Sequence, residues 1–122
     1  LNDTNLQGVS LNNADLSGAN LQNADLTKAV LTMANLTRAN LTGAKLINAY
    51  LFTANLDSAN LSNANLTGAN LENANLRNAT LTNSDLSSAI LKNANLTQAN
   101  LTGAIIRDTD LRGTGFSDSS LR

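Results

Sequence analysis

A leucine at every fifth position is the feature that most constrains the fold of this chain. From Leu1 to Leu121 each fifth residue is leucine, except at Ile106 and Phe116. On a helix, a step of five places successive leucines roughly 140° apart and scatters them around the surface. On a straight strand the same odd step sends them alternately to opposite faces. The repeat therefore predicts a chain that turns a corner once per five residues and coils into a solenoid.

The number of pentapeptides in one coil can be judged from the charges that would stack on one another. Three per coil would place Asp57 over Glu72 and Arg77 over Lys92, which are like charges. Four per coil would place Asp57 over Arg77 and Glu72 over Lys92, with Lys92 over Arg112 as the like pair. Five per coil gives one attractive and one repulsive pair. Exposed pairs contribute only about 0–1 kcal/mol each, but their agreement favours four pentapeptides per coil.

The run ANLTGANLENANL, residues 64–76, resembles the A(D/N)LXX consensus of pentapeptide repeat proteins, and the resemblance extends over essentially the whole chain. It implies an all-β fold, a right-handed quadrilateral β-helix of about six coils of four pentapeptides each. We expect a single domain over residues 1–122, in which the central Leu and the Ala two residues before it point inward. The expected structural core includes Leu46, Leu51, Leu56, Leu61, Leu66, Leu71, Ala49, Ala54, Ala59, Ala64 and Ala69.

The composition argues against an enzyme. The chain contains no His and no Cys, so the usual acid–base, nucleophilic and thiolate metal constellations cannot be assembled. Asp108, Asp110 and Asp118 could form a weak Ca²⁺ site, but a solvated charged end explains them better. The glycines are scattered rather than grouped as a phosphate-binding loop, and they are typical of turns. We expect no catalytic, cofactor or metal site.

Five apolar residues break the polar pattern of the outward positions in the middle of the chain. They are Val30, Met33, Ile47, Tyr50 and Phe52. At four pentapeptides per coil they fall on two adjacent coils. An exposed apolar cluster with aromatic residues is typical of a protein-binding patch. The alternative is a cross-coil ladder that only stabilises the sheet face, at about 0.2–1 kcal/mol per pair.

Three classes of non-enzymatic function fit these features. The first is a rigid scaffold for protein–protein interaction, which is typical of solenoids with continuous faces. The resemblance implies the second, a DNA mimic that protects or inhibits a type II topoisomerase such as gyrase. The third is an ice- or carbohydrate-facing array on the column of hydroxyl residues Thr42, Ser62, Thr82 and Thr102. Eight basic and nine acidic residues give a net charge of −1, which disfavours both direct nucleic-acid binding and an acidic DNA-like surface.

The sequence also limits partners and location. No apolar run approaches the roughly 18 residues of a membrane span, so we expect a soluble chain without membrane insertion. An open β-solenoid leaves unpaired backbone groups at its ends, which predicts weak end-to-end self-association. The family is abundant in cyanobacteria, and the resemblance leaves the periplasm, the thylakoid lumen and the cytoplasm open as compartments. The protein partner cannot be named from the sequence.

Overall fold

Parallel backbone bridges join residues that lie 20 positions apart throughout the chain. The structure is a computed structural model that describes residues 1–121. Its bridges begin with Asn5 and Asp25 and recur at every fifth residue. The longest paired segments are β1, Asn100–Leu101, and β2, Ser120–Leu121, which pair in parallel with Asn100 opposite Ser120. A step of 20 residues is four pentapeptides, as the stacked charges indicate.

Each pentapeptide contains a β-turn that forms the corner of the coil. In the repeat beginning at Leu56, the Ala59 N–H donates to the Leu56 carbonyl at 3.0 Å, and Ser58 between them has a φ of 61°. A positive φ at the third residue of a four-residue turn is the signature of type II. Met33 and Arg38 occupy the same turn position with φ of 59° and 58°. The fold therefore imposes the left-handed conformation on side chains that rarely adopt it alone.

Three hydrogen bonds per pentapeptide connect one coil with the next and offset this strain. The Leu56 N–H donates to the Asn75 carbonyl at 2.6 Å, and the Ser58 N–H donates to the Arg77 carbonyl at 2.8 Å. The Asn75 N–H donates in the reverse direction to the Ala54 carbonyl at 2.9 Å. Because every one of these bonds joins residues 19 to 21 positions apart, each coil is stabilised by its neighbours.

The interior is a column of leucines with alanines between them. The central Leu of every pentapeptide from Leu21 to Leu101 is buried, and each buried Leu contributes about 1.5–3 kcal/mol. At the two ends the inward residues are only partly covered, and Leu1 is 57% exposed. The buried residues of the middle coils include Leu46, Leu51, Leu56, Leu61, Leu66, Leu71, Ala49, Ala54, Ala59, Ala64 and Ala69.

Hydroxyl residues replace the inward alanine at five places, with different outcomes. They are Thr4, Ser84, Thr109, Thr114 and Ser119. The Thr109 and Thr114 hydroxyls each donate at 2.7 Å to a leucine carbonyl 23 residues earlier in the chain, that of Leu86 and Leu91 respectively. Ser84 is fully buried, and its hydroxyl has no hydrogen-bond partner. The C-terminal departures from the repeat are thus satisfied, whereas the one in the middle of the core is not.

Candidate functional site

The residue before each central leucine determines whether the next turn is capped. Asn35 Oδ1 accepts the Thr37 N–H at 3.0 Å and the Thr37 hydroxyl at 2.6 Å. The same Asx cap occurs from Asn5, which accepts the Gln7 N–H at 3.1 Å, to Asp110 near the C-terminus. This backbone N–H takes no part in the bonds between coils. The Asn or Asp side chain is therefore its only acceptor within the fold.

Where the residue before the leucine is not Asn or Asp, this cap is missing. Val30 and Tyr50 occupy that position in adjacent coils, and within residues 1–121 the N–H groups of Thr32 and Phe52 find no acceptor. Asn70 is the next residue in the same column, and its Oδ1 accepts the Glu72 N–H at 3.0 Å. Ser10 holds this position in the preceding coil, and the Asn12 N–H also has no acceptor in this part of the chain. Three neighbouring turns of one face, at Asn12, Thr32 and Phe52, therefore present free donors.

The five predicted patch residues surround these donors. Val30 and Tyr50 are bridge partners, and the Met33 N–H donates to the Phe52 carbonyl at 3.0 Å. The side chains of Met33, Tyr50 and Phe52 are 61%, 51% and 38% exposed, whereas Val30 is half-buried. Aromatic rings and a thioether thus lie in water on two adjacent coils. Such a cluster can bind an apolar side chain.

Ile47 lies at the other corner of this face and is half-buried. Its carbonyl accepts the N–H of Lys28 at 2.9 Å, and its own N–H has no acceptor in the described chain, because Lys45 precedes the leucine there. Lys28 and Lys45 are exposed. They place positive charge at the edge of the face.

Two charged residues near the C-terminal end, Asp110 and Arg112, pair with each other. Arg112 donates through Nε to Asp110 Oδ1 at 2.9 Å and through an Nη to Oδ2 at 2.6 Å, the one ion pair within residues 1–121. These bonds from Arg112 lower the pKa of Asp110 to about 2. Asp110 is therefore held by its neighbour rather than open to Ca²⁺. In the described residues no three His, Cys, Asp or Glu side chains come together as metal ligands.

Three further aspartates act as turn caps, and the cap bonds change their acidity. The pKa of Asp15 is lowered by the hydroxyl and the N–H of Ser17. Those of Asp25 and Asp85 are lowered in the same way by Thr27 and Ser87. The carboxylate form is stabilised because it accepts hydrogen bonds that the protonated form accepts less well. These groups stabilise turns and show no catalytic arrangement.

The asparagine and hydroxyl columns of the surface use their side chains mainly within their own turns. Asn35, Asn55, Asn75 and Asn95 are successive bridge partners, but the one amide bond between them is from Asn75 Nδ2 to Asn55 Oδ1 at 3.4 Å. In the hydroxyl column, Thr42, Ser62 and Thr102 donate to the preceding asparagine at 2.7 Å. Their protons are therefore already engaged and do not face a ligand.

The described surface is flat. Residues 1–121 enclose no cleft or cavity, and this part of the chain contains no helix able to cross a membrane. A flat face suits a macromolecular partner better than a small molecule, which binds in concave pockets.

Comparison with known proteins identifies the family. The profile for pentapeptide repeats matches in eight copies, over residues 1–32, 19–57, 34–73, 54–93 and 81–118. The chain is a pentapeptide repeat protein. Proteins of this family are generally structural and non-enzymatic. No curated protein sequence matches this pentapeptide repeat protein significantly.

Solved structures of pentapeptide repeat proteins, which form right-handed quadrilateral β-helices, match this chain along most of its length. Rfr23 from the cyanobacterium Cyanothece 51142 is 32% identical, with 98% of this chain and 89% of that chain covered and a TM-score of 0.61. HetL from the cyanobacterium Nostoc, a protein involved in heterocyst differentiation regulation, is 30% identical (98% and 70% covered, TM-score 0.35). A protein of the Arabidopsis thaliana thylakoid lumen is 31% identical (96% and 71% covered, TM-score 0.42).

Proposed function

We propose that this pentapeptide repeat protein is a non-enzymatic rigid scaffold that binds a partner protein through the patch formed by Val30, Met33, Ile47, Tyr50 and Phe52. The observation that carries the proposal is the clustering of exposed apolar groups. Five large apolar side chains are exposed in the described chain, at Leu1, Met33, Tyr50, Phe52 and Ile105. Three of these five lie together on one face of two adjacent coils, whereas the other two lie apart from them.

The proposed scaffold is one domain over residues 1–122. At 20 residues per coil, that length corresponds to about six coils of a right-handed quadrilateral β-helix. Continuous hydrogen bonding between coils would hold the patch residues in fixed relative positions. A partner would then bind without first having to order the surface, which reduces the entropic cost of association.

Affinity capture from extracts of the cells that express the protein tests this proposal. The double variant Tyr50→Ser with Phe52→Thr should lose a protein that the parent retains, while its melting temperature stays within about 2 °C of the parent, because both side chains are surface residues. Thr80→Ser with Thr82→Ser is the matched control, since it changes the same two repeat positions on another face. A captured protein retained by all three baits, or a large loss of stability in the first variant, would show that the cluster is structural.

The alternative of a DNA mimic acting on a topoisomerase has less support. The columns of the surface mix signs, for example Asp25, Lys45, Asn65 and Asp85 at successive steps along one face. DNA mimicry requires a sustained negative potential. A gyrase supercoiling assay with the purified protein would reverse this ranking if it showed inhibition or protection.

We also propose weak self-association through the ends. Within residues 1–121 the Leu111 and Gly113 N–H groups have no acceptor, unlike their equivalents in the middle coils, and inward residues such as Leu11 and Phe116 are only partly covered. Sedimentation velocity over a concentration series should show reversible association. A constant monomer at the highest concentration would contradict it.

A further inference from the structure

From the free turn donors beside the patch, we infer that the patch binds an acidic side chain flanked by apolar residues on the partner protein, with the carboxylate accepting the N–H groups of Thr32 and Phe52. This inference rests on the proposed function and specifies the chemistry of its partner. It combines two observations, namely the exposed apolar side chains and the missing caps, which coincide at Val30 and Tyr50.

The local repeat shows what these donors require. Asp15 and Asp25 supply a carboxylate oxygen to the equivalent N–H of Ser17 and Thr27 at 3.1 Å. In the same column as the patch, the Asn70 amide oxygen accepts a hydrogen bond from the Glu72 N–H. An Asx-type oxygen is therefore the group that the fold uses at this position. A partner carboxylate would restore the missing bond in trans.

One carboxylate can accept both the Thr32 and the Phe52 N–H groups. Thr32 and Phe52 occupy the same position in adjacent coils, and β-strand spacing places equivalent atoms about 4.8 Å apart. The two oxygens of a carboxylate can each accept one N–H. Lys28 adds positive charge at the edge of this face, and Glu72 lies one coil beyond Phe52. This charge distribution favours a carboxylate between Thr32 and Phe52 rather than further along the column.

The apolar part of the patch would hold the residues that flank the carboxylate. Met33 and Phe52 lie at one corner, and Val30 and Tyr50 lie on the flat part of the face. Apolar side chains on either side of the partner's acidic residue could contact both groups. These contacts would exclude water from the interface. The lower local dielectric would then strengthen the hydrogen bonds to the carboxylate.

Amide chemical shifts of the full chain test the inference with defined peptides. N-acetyl-Leu-Asp-Leu-amide at millimolar concentration should shift the amide protons of Thr32 and Phe52 downfield, and it should shift the Met33 methyl and the Tyr50 ring. N-acetyl-Leu-Ala-Leu-amide should leave the two amide protons unmoved. Acetate alone should move them at least roughly tenfold less at equal concentration, because it lacks the apolar contacts.

The matched variants are Val30→Asn and Val30→Leu, whose side chains are of similar size and shape. Val30→Asn should cap Thr32 as Asn70 caps Glu72, weaken peptide binding roughly tenfold and abolish the shift at Thr32, since a hydrogen bond to a charged group is lost. Val30→Leu should retain binding. Asn at this position is typical of the repeat, and the large apolar residue Ile90 occupies it in the same column, so both variants should fold.

The outcomes separate this inference from the proposed function. If the peptide shifts Met33 and Tyr50 but not the two amides, the patch binds apolar groups alone and the inference is wrong. If the same sequence with Ala in the centre and a free C-terminal carboxylate shifts the amides better than the Asp peptide, the choice of an acidic side chain is wrong. If no peptide shifts any patch resonance, the inference is overturned, whereas the capture experiment with Tyr50 and Phe52 still decides the scaffold proposal.

Discussion

Replacing Ser84 with alanine should stabilise the protein, although serine is smaller than most core residues and fits the space. Ser84 is fully buried at a position where most of the repeats have alanine, and its hydroxyl has no hydrogen-bond partner. Burying a hydroxyl without a hydrogen bond costs about 1–3 kcal/mol in proteins. The Ser84→Ala variant removes that cost and leaves no cavity beyond one oxygen atom. We expect a free energy of unfolding higher by about 1 kcal/mol, the lower end of that range.

Urea denaturation followed by far-UV circular dichroism measures this change, and Thr109→Val provides a control of opposite sign. Thr109 occupies the equivalent inward position, but its hydroxyl donates to the Leu86 carbonyl at 2.7 Å. Because valine retains the shape of threonine and removes that bond, this variant should lose about 0.5–1.5 kcal/mol.

A neutral or destabilising Ser84→Ala result would refute this reasoning. It would mean that the Ser84 hydroxyl donates to an acceptor in solution. The carbonyl of Leu61 lies 23 residues before Ser84, as that of Leu86 does before Thr109.

Three other predictions concern the core, the turns and the capping carboxylates. Leu66→Asp should lose more than about 4 kcal/mol and the β-sheet dichroism of the middle coils, because an unpaired charge would enter the apolar interior; a native spectrum and melting temperature would show that Leu66 is not inside. Gly18→Ala should cost about 1–2 kcal/mol for its φ of +67°. Gly68→Ala should cost about the same, because the place of the new methyl group is occupied only by the end of the Asn48 side chain, which can rotate away; a much larger loss for Gly68→Ala in thermal melts would refute this reasoning. The pKa values of Asp15, Asp25 and Asp85 are lowered in the folded protein, so these carboxylates contribute their full stabilisation of the fold above the ordinary pKa of 3.8 and lose it as pH falls through the folded-state pKa. Replacing all three with Asn should keep the caps and flatten the acid part of a plot of unfolding free energy against pH. An unchanged plot would contradict the assignment.

The sequence was sufficient to predict the solenoid and its step. The leucine at every fifth position determines which side chains lie inside, and opposite charges 20 residues apart indicate the four pentapeptides per coil that the bridges show. The same stacking of charges did not predict which ion pair forms. Arg112 forms its ion pair with Asp110 two residues before it, because a long side chain reaches a neighbour in its own turn more readily than one in another coil.

The turn conformation and the free donors were not predicted. Asn and Gly at the third turn position suggest a positive φ, but Met33 and Arg38 adopt it only because the coil imposes it. Thr32 contributes through its backbone, so its side chain gave no signal. The information was nevertheless present in the sequence, since a capped turn has Asn or Asp two residues earlier and Thr32 and Phe52 do not.

The 20-residue bridge step gives the interior and the surface different tolerance to insertions during evolution. The core repeats every five residues, so gaining or losing a single pentapeptide would leave every leucine inside. The same event between Val30 and Tyr50 would rotate one of them onto a neighbouring side of the solenoid and separate the patch. Only a change of 20 residues lengthens the protein while keeping each surface column aligned. The gain of one pentapeptide can therefore bring different surface residues together on one face while the leucine core stays the same.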